Sequence, residues 1–270
     1  MKILDGRELA GYIKEKQAHE VRSLRGMRIF PKLVIIRDSE NPVITKYVSL
    51  KKKYGEDIGV EVIDAFAEGL SGLRKAVSDA NDDETVSGII VQLPLVNKEW
   101  TEEVTSLISP MKDVDGLNET TIDSERRFDS ATATAINWLL AGYNISLDKP
   151  KKIAIVGRGK LVGAPLYRMW TNSGYDVSVF HSGDDLTKLL MFDIIVSATG
   201  SPRIISDAFV KSGSIVIDAG TASEDGVLIG DVSDEVRLRK DLEAITPKIG
   251  GVGPLTVSAL FDNIIRGAKS

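Results

Sequence analysis

The sequence predicts an α/β protein of two domains, each built on a largely parallel sheet. Three observations carry that prediction. Short apolar runs alternate with longer helix-like segments along most of the chain, the pattern of strands joined by crossover helices. The connector Leu147-Asp148-Lys149-Pro150 breaks this alternation with charge and proline and divides it into two series. The second series opens with an apolar strand that runs into a glycine-punctuated turn and then a helix.

In the first series the strands are Leu33 to Ile36, Val60 to Phe66 and Gly88 to Leu93. Val43 to Ile58 and Leu70 to Asn81 read as the helices between them, and the turn Asp82-Asp83-Glu84 feeds the third strand. Thr134 to Tyr143 reads as a connecting helix. The second series places strands at Lys152 to Val156, Val177 to Phe180, Ile194 to Ala198, Ile215 to Asp218 and Ala244 to Ile245. Apolar spacing over Leu255 to Arg266 predicts a final amphipathic helix, expected to pack back on the first domain. The expected domains are therefore residues 1–141, completed by the C-terminal helix 253–270, and residues 142–252.

Composition narrows the function classes. With 43% apolar and 27% charged residues, the chain can bury a core, which sets aside disordered and fibrous classes. A formal charge of −5 with both signs interspersed gives no basic surface for nucleic acid. The absence of cysteine removes disulfides, thiolate nucleophiles and cysteine metal sites, and two histidines, His19 and His181, cannot build a histidine cluster, so no metal is expected. The start of the chain lacks the apolar core of a secretory signal, and the longest charge-free run, Ser130 to Leu147, is too polar to span a bilayer. The expectation is a cytoplasmic protein with no membrane role.

The stretch Ile153 to Pro165 contains Gly157-Arg158-Gly159-Lys160-Leu161-Val162-Gly163. Glycines at such a turn let backbone approach a pyrophosphate, and the helix that follows offers unpaired N–H groups. The spacing is one residue longer than the commonest fingerprint, and glycines that merely turn a strand into a helix would look the same. The end of the next strand, Phe180-His181-Ser182, has no carboxylate where NAD-specific folds place one for the ribose 2′-hydroxyl. Arg158 and Ser182 can hold a 2′-phosphate instead, which favours NADP; an ordinary solvated arginine is the alternative at position 158. Val196-Ser197-Ala198-Thr199-Gly200 and Ile217-Asp218-Ala219-Gly220-Thr221 put small-residue turns after two further strands, where an open sheet lines its ligand crevice.

Tyr47 and Lys51 stand four residues apart and so project from one face of a helix. An amine there can donate hydrogen bonds, or act as a base if burial lowers its pKa; a solvated helix face would have the same pattern. The spacing also occurs in short-chain dehydrogenases, but there the cofactor turn precedes the pair, whereas here Gly157 follows it. Gln92 ends an apolar strand, where a polar side chain needs a partner. Asp115 lies in Lys112-Asp113-Val114-Asp115-Gly116-Leu117, able to take the amino and ring N–H donors of a pterin, although an Asp-Gly turn explains it equally.

Together these segments resemble the bifunctional methylenetetrahydrofolate dehydrogenase and methenyltetrahydrofolate cyclohydrolase family. The resemblance is ordered and spans nearly the whole chain: Leu4-Asp5-Gly6, Tyr47 to Lys51, Val91 to Leu95, Lys112 to Leu117, Val156 to Pro165, Gly230-Asp231-Val232, and Gly250 to Val257. It implies a folate-binding α/β domain and a Rossmann-like parallel-sheet NADP domain with the active cleft between them. It implies further that Lys51 is the key catalytic residue, that Tyr47 stacks on the folate ring, that Gln92 orients Lys51 and that Asp115 grips the pterin. Leu93, Gly251, Pro254 and Thr256 would border the substrate, while Gly157, Arg158, Gly159, Gly163, Ser182, Thr199, Gly200 and Thr221 would line NADP. Tetrahydrofolate derivatives are the implied substrates and a homodimer the implied assembly. The chain departs from the family at Ser130-Ala131-Thr132-Ala133, where Pro-Cys-Thr-Pro is usual, at Ile44 and Gly159, where serines are usual, and at Lys248-Ile249.

Overall fold

Apolar runs and well-marked helix ends set the element order in the computed structural model, which describes residues 1–148, 150–220, 222–224 and 227–269. In chain order the elements are β1 (Lys2–Ile3), α1 (Gly6–Gly26), β2 (Lys32–Arg37), α2 (Pro42–Ile58), β3 (Glu61–Phe66), α3 (Gly69–Asp82), β4 (Gly88–Val91), α4 (Thr101–Ser106) and α5 (Ala131–Gly142). Then follow β5 (Ile153–Val156), α6 (Gly163–Asn172), β6 (Val177–Phe180), β7 (Ile194–Ser197), β8 (Ile215–Asp218), β9 (Ala222–Glu224), β10 (Val227–Ile229), α7 (Asp234–Leu238), β11 (Ala244–Ile245) and α8 (Val252–Ala268).

The chain divides into two compact units. One holds residues 11–131 and 257–270, and the other residues 1–10 and 132–256. The first ten residues go with the second group rather than with the N-terminal series because β1 pairs in parallel with β11, Lys2 opposite Ala244 and Ile3 opposite Ile245. No apolar periodicity announces a two-residue strand whose side chains are both exposed.

The first unit is built on a three-stranded parallel sheet in the order β3-β2-β4. Leu33, Val34, Ile35 and Ile36 of central β2 are all buried, so this strand is an unbroken apolar run, as strands covered on both faces are. On one side Leu73, Val77 and Ala80 of α3 pack with Val34, Ile36, Ile89 and Val91. Full burial of side chains of this size stabilises by roughly 1.5–3 kcal/mol each. The later part of α8 belongs to the same unit. Its Phe261 ring lies 4.7 Å from Tyr54, and Asn263 Nδ2 donates to the carbonyls of Val114 and Asp129 at 2.9 and 3.0 Å.

The second unit carries a six-stranded, all-parallel sheet in the order β1-β11-β8-β7-β5-β6. The chain leaves β5 for β6 on one side and returns to β7 on the other, which makes the β5/β7 boundary a topological switch point. Register brings the carboxyl ends level: Val156 lies opposite Phe180 and Ser197, and Ser197 opposite Asp218. The turns that begin at Gly157, His181, Ala198 and Ala219 therefore emerge along one edge. The core beneath them comprises Ala154, Val156, Ile195, Val216 and Ile245, closed by Leu189, Val232 and Val236. No helix among the described residues is long and apolar enough to cross a membrane.

Candidate active site

In the first unit the site begins with α2. Asn41 caps its start by accepting the Val43 N–H at 2.8 Å, Pro42 supplies a pre-set first turn, and Gly59 ends it in the left-handed conformation. Tyr47 and Lys51 follow one another on its face, both partly buried. Lys51 Nζ donates to Gln92 Oε1 at 2.6 Å. Gln92 leaves the end of β4 with its own N–H bonded to the Ile36 carbonyl at 2.8 Å, and its Nε2 donates to the Leu93 carbonyl at 3.0 Å. With the amide nitrogen thus occupied, the amide oxygen is turned to the lysine. The Leu93–Pro94 peptide is cis, and beyond it the Val96 N–H is held by both oxygens of the largely buried Asp38 at 3.1 and 3.0 Å.

Asp115 sits on a loop fixed from several directions. Lys112 Nζ donates to the carbonyls of Ala80, Asn81 and Asp83 at 3.1, 2.7 and 2.8 Å, satisfying the end of α3. Asp113 turns inward and accepts the N–H groups of Leu117 and Asn118 at 3.0 and 2.9 Å. Asn118 Nδ2 closes the loop on the Ser106 and Ile108 carbonyls. Gly116 takes a positive φ of 66°, and a side chain there would press on the backbone of Ser130.

Burial dominates the electrostatics of this cluster. It pushes the Lys51 ammonium below its ordinary pKa, with the charge of Asp115 acting in the opposite direction. The same burial pushes the Asp115 carboxyl up, opposed by Lys51 and by a hydrogen bond from the Ala131 N–H. The Tyr47 phenol is likewise pushed up by burial. Asp113 is raised by burial to about 6, against the pull of the Asn118 and Leu117 N–H groups. An amine held by a neutral amide and pressed toward its uncharged form is suited to moving protons.

In the second unit the glycine turn closes tightly. Gly157 has a φ of 92°, and a Cβ there would stand 2.7 Å from the Ala198 carbonyl oxygen, while one on Gly163 would collide with the carbonyl of Gly157. The backbone cradle therefore exists only because both positions lack side chains, as close approach of a pyrophosphate requires. Gly159 is open to solvent, and α6 starts at Gly163 without a side-chain cap, so its first N–H groups are free of one. Arg158 is exposed and stacks on the Tyr167 ring at 5.1 Å. Ser182 is exposed after β6, and the carboxylate of Asp184 is engaged by the His181 N–H at 2.6 Å. Thr199 and Gly200 form the turn after β7, with Gly200 at φ 67°. Gly251, Pro254 and Thr256, at the start of α8, belong to this second unit, whereas Tyr47, Lys51, Gln92, Leu93 and Asp115 belong to the first. Thr221 lies outside the described residues.

The sequence model for the tetrahydrofolate dehydrogenase/cyclohydrolase catalytic domain matches residues 4–115, and that for the NAD(P)-binding domain of the same enzymes matches residues 130–270. The chain belongs to the tetrahydrofolate dehydrogenase/cyclohydrolase family. It is 37% identical to the bifunctional protein FolD of Hydrogenobaculum sp., over 100% of this chain and 99% of that protein, and 36% identical to that of Aquifex aeolicus, over 99% and 95%. Among solved structures, the bifunctional FolD enzyme of Campylobacter jejuni is similar with a TM-score of 0.93 and 32% identity, covering 100% of this chain and 99% of that one. The Trypanosoma brucei methylenetetrahydrofolate dehydrogenase-cyclohydrolase, complexed with NADP cofactor and inhibitor, gives a TM-score of 0.90 at 31% identity over 99% and 97%.

Several supporting side chains of this family member escaped the sequence reading. Asp38 opens the turn Asp38-Ser39-Glu40-Asn41-Pro42, which explains an aspartate there without tying it to Val96. Lys112 and Asp113 stand beside Asp115 in Lys112 to Leu117, but the contacts of Lys112 with the end of α3 are long-range facts of the fold, and those of Asp113 with the Leu117 and Asn118 N–H groups depend on how the loop closes. Asp218 and Asp231 stand in Ile217 to Thr221 and Gly230 to Val232, and the backbone N–H groups they hold lie beyond what those short segments specify.

Proposed function

We propose that this chain oxidises 5,10-methylenetetrahydrofolate to 5,10-methenyltetrahydrofolate with NADP and hydrolyses the product to 10-formyltetrahydrofolate, as a cytoplasmic homodimer. The observation that carries the reading is the 2.6 Å hydrogen bond from Lys51 to Gln92 within a desolvated group that includes Asp115. Family membership and full-length similarity to bifunctional FolD proteins support it. The acidic balance of the chain supports small-molecule rather than nucleic-acid partners.

Tyr47 offers an aromatic face for the pterin and Asp115 an acceptor for its N–H donors. When bound at the Gly157–Gly163 turn, the dinucleotide supplies the hydride acceptor. Arg158 and Ser182 hold its 2′-phosphate, Gly159, Thr199 and Gly200 line it, and the carboxylate of Asp184 is already engaged by the His181 N–H. In the hydrolytic half, water adds to the methenyl carbon. Neutral Lys51 takes one proton as the water adds and delivers it to the folate N5 nitrogen as the bond between carbon and N5 breaks; the remaining hydroxyl proton passes to the freed amine and on to solvent as the carbon–oxygen double bond forms, leaving the formyl group on N10. Gln92 keeps the amine aimed without fixing it in the charged state.

Two absorbance measurements test this: NADPH formation from methylenetetrahydrofolate, and disappearance of the methenyl compound. Purified protein that supports neither at neutral pH would refute the proposal.

A further inference from the structure

The Gly230-Asp231-Val232 motif has no part in the reaction above, yet Asp231 is fully buried. Its Oδ2 accepts the Ser197 hydroxyl at 2.8 Å and the Thr199 N–H at 2.7 Å, so the carboxylate sits directly under the turn that follows β7. Its Oδ1 has no hydrogen-bond partner among the described residues. Asp218, at the end of β8, accepts the N–H groups of Gly220, Asp231 and Val232 at 3.0, 3.1 and 3.1 Å and pairs with the guanidinium of Arg237. The other arm of Arg237 donates to the Thr246 carbonyl at 2.8 Å, after β11. The two turns close on these side chains without slack: a Cβ on Gly220 would collide with the Asp231 carboxylate and one on Gly230 with that of Asp218.

The guanidinium of Arg237 pairs with Asp218 alone, so the cluster sets two carboxylates against one guanidinium and Asp231 has no cation in contact. Burying such a group is costly, and apolar residues of similar volume would hold the turns at least as well. What apolar residues cannot supply is a field. The cluster lies along the carboxyl ends of β7, β8 and β11, on the far side of the switch point from β6. A dinucleotide with its pyrophosphate at the Gly157–Gly163 turn and its adenosine toward β6 extends its nicotinamide over those ends; this placement rests on the function proposed above. The oxidised nicotinamide ring bears a positive charge that the reduced ring lacks.

We infer that the Asp218–Asp231–Arg237 cluster biases this protein toward the oxidised dinucleotide, binding NADP in preference to NADPH. A fixed negative charge beneath the ring stabilises the cation and leaves the neutral ring unaffected, so the reduced product leaves more readily. Asp231 and Asp218 are in this sense positioning residues that act through the field they set, touching neither cofactor nor substrate.

Equilibrium titration of NADP and NADPH with the full-length protein tests the inference. The wild type is expected to bind NADP about tenfold tighter than NADPH. Asp231→Asn, isosteric and still able to accept from Thr199, is expected to weaken NADP about tenfold while leaving NADPH within twofold. Equal weakening of both forms would show a brace with no electrostatic role and would overturn the inference, as would an unchanged ratio. Should Asp231→Asn not fold, the wild-type ratio still decides, because equal affinities or a preference for NADPH contradict it. Wild-type protein that binds neither form would instead overturn the dinucleotide reading itself.

Discussion

Replacing Lys51 with methionine separates its chemistry from its place in the fold. The side chain is nearly isosteric in length, keeps the apolar stem on α2, and removes the amine proposed to carry a proton to and from the methenyl substrate. General acid–base assistance contributes roughly 10²–10⁴-fold, so hydrolysis should fall by about three orders of magnitude. Stability moves much less. Gln92 Oε1 loses the donor that now stands 2.6 Å away, which costs about 1–3 kcal/mol, but an ammonium that burial disfavours is removed at the same time. The pH dependence has a definite sign. Because the folded pKa of Lys51 lies below its ordinary value of 10.5, the folded chain binds fewer protons than the unfolded chain between those two points. Wild-type stability therefore gains from this group as pH rises through that window, and Lys51→Met lacks the gain. Three readouts decide: methenyl absorbance for hydrolysis, thermal unfolding at neutral and alkaline pH, and NADPH fluorescence for binding, which should persist. Hydrolysis at the wild-type rate would refute the role given to Lys51.

Gln92→Glu places a carboxylate against the amine and should hold Lys51 protonated, moving the pH–rate profile of hydrolysis upward by about 1–3 pH units; an unmoved profile would show that Gln92 does not set the state of Lys51. Arg158→Ala removes the exposed guanidinium stacked on Tyr167 and should cut the preference for NADP over NAD by roughly 10- to 100-fold, read as the ratio of kcat/KM for the two cofactors. Asp113 has a folded pKa raised to about 6, so its stabilisation is complete below the ordinary 3.8 and is lost as pH rises through about 6. A displacement of that size corresponds to about 3 kcal/mol, and denaturant melts from pH 3.5 to 7 should show Asp113→Asn losing that part of the pH dependence.

Most of the sheet was legible because its strands are buried on both faces. Ile153 to Val156, Ile194 to Val196 and Leu33 to Ile36 are unbroken apolar runs, and such runs need no tertiary knowledge to recognise. The hairpin of β9 and β10 and the strand β1 were not, since two or three residues leave no period to detect. The site divides along similar lines. Tyr47 and Lys51 could be placed on one helical face by spacing, and Gln92 at a strand end by its isolation among apolar neighbours. That Lys51 meets Gln92 across 41 positions is a property of the β2–β4 pairing, which helical spacing does not encode. Asp38 and Asp113 are further cases: each holds backbone N–H groups, and a carboxylate that bonds backbone leaves no trace in the identity of the residue it holds.

Both units bury ionisable groups that lack an opposite charge in direct contact, and the group left without one follows the chemistry proposed for each. A matched lysine–glutamate pair in place of Lys51 and Gln92 would be easier to bury, since the amine would keep a full counter-charge in contact. It would also hold the proton. The neutral amide oxygen of Gln92 fixes direction alone, and Asp115 acts on the amine through space while burial presses both groups toward their uncharged forms. In the other unit a second guanidinium beside Arg237 would neutralise Asp218 and Asp231 together and erase the field at the turn after β7. In each place the residue that would complete the pair is the one whose presence would abolish the function, so imbalance, rather than pairing, marks where the chemistry lies.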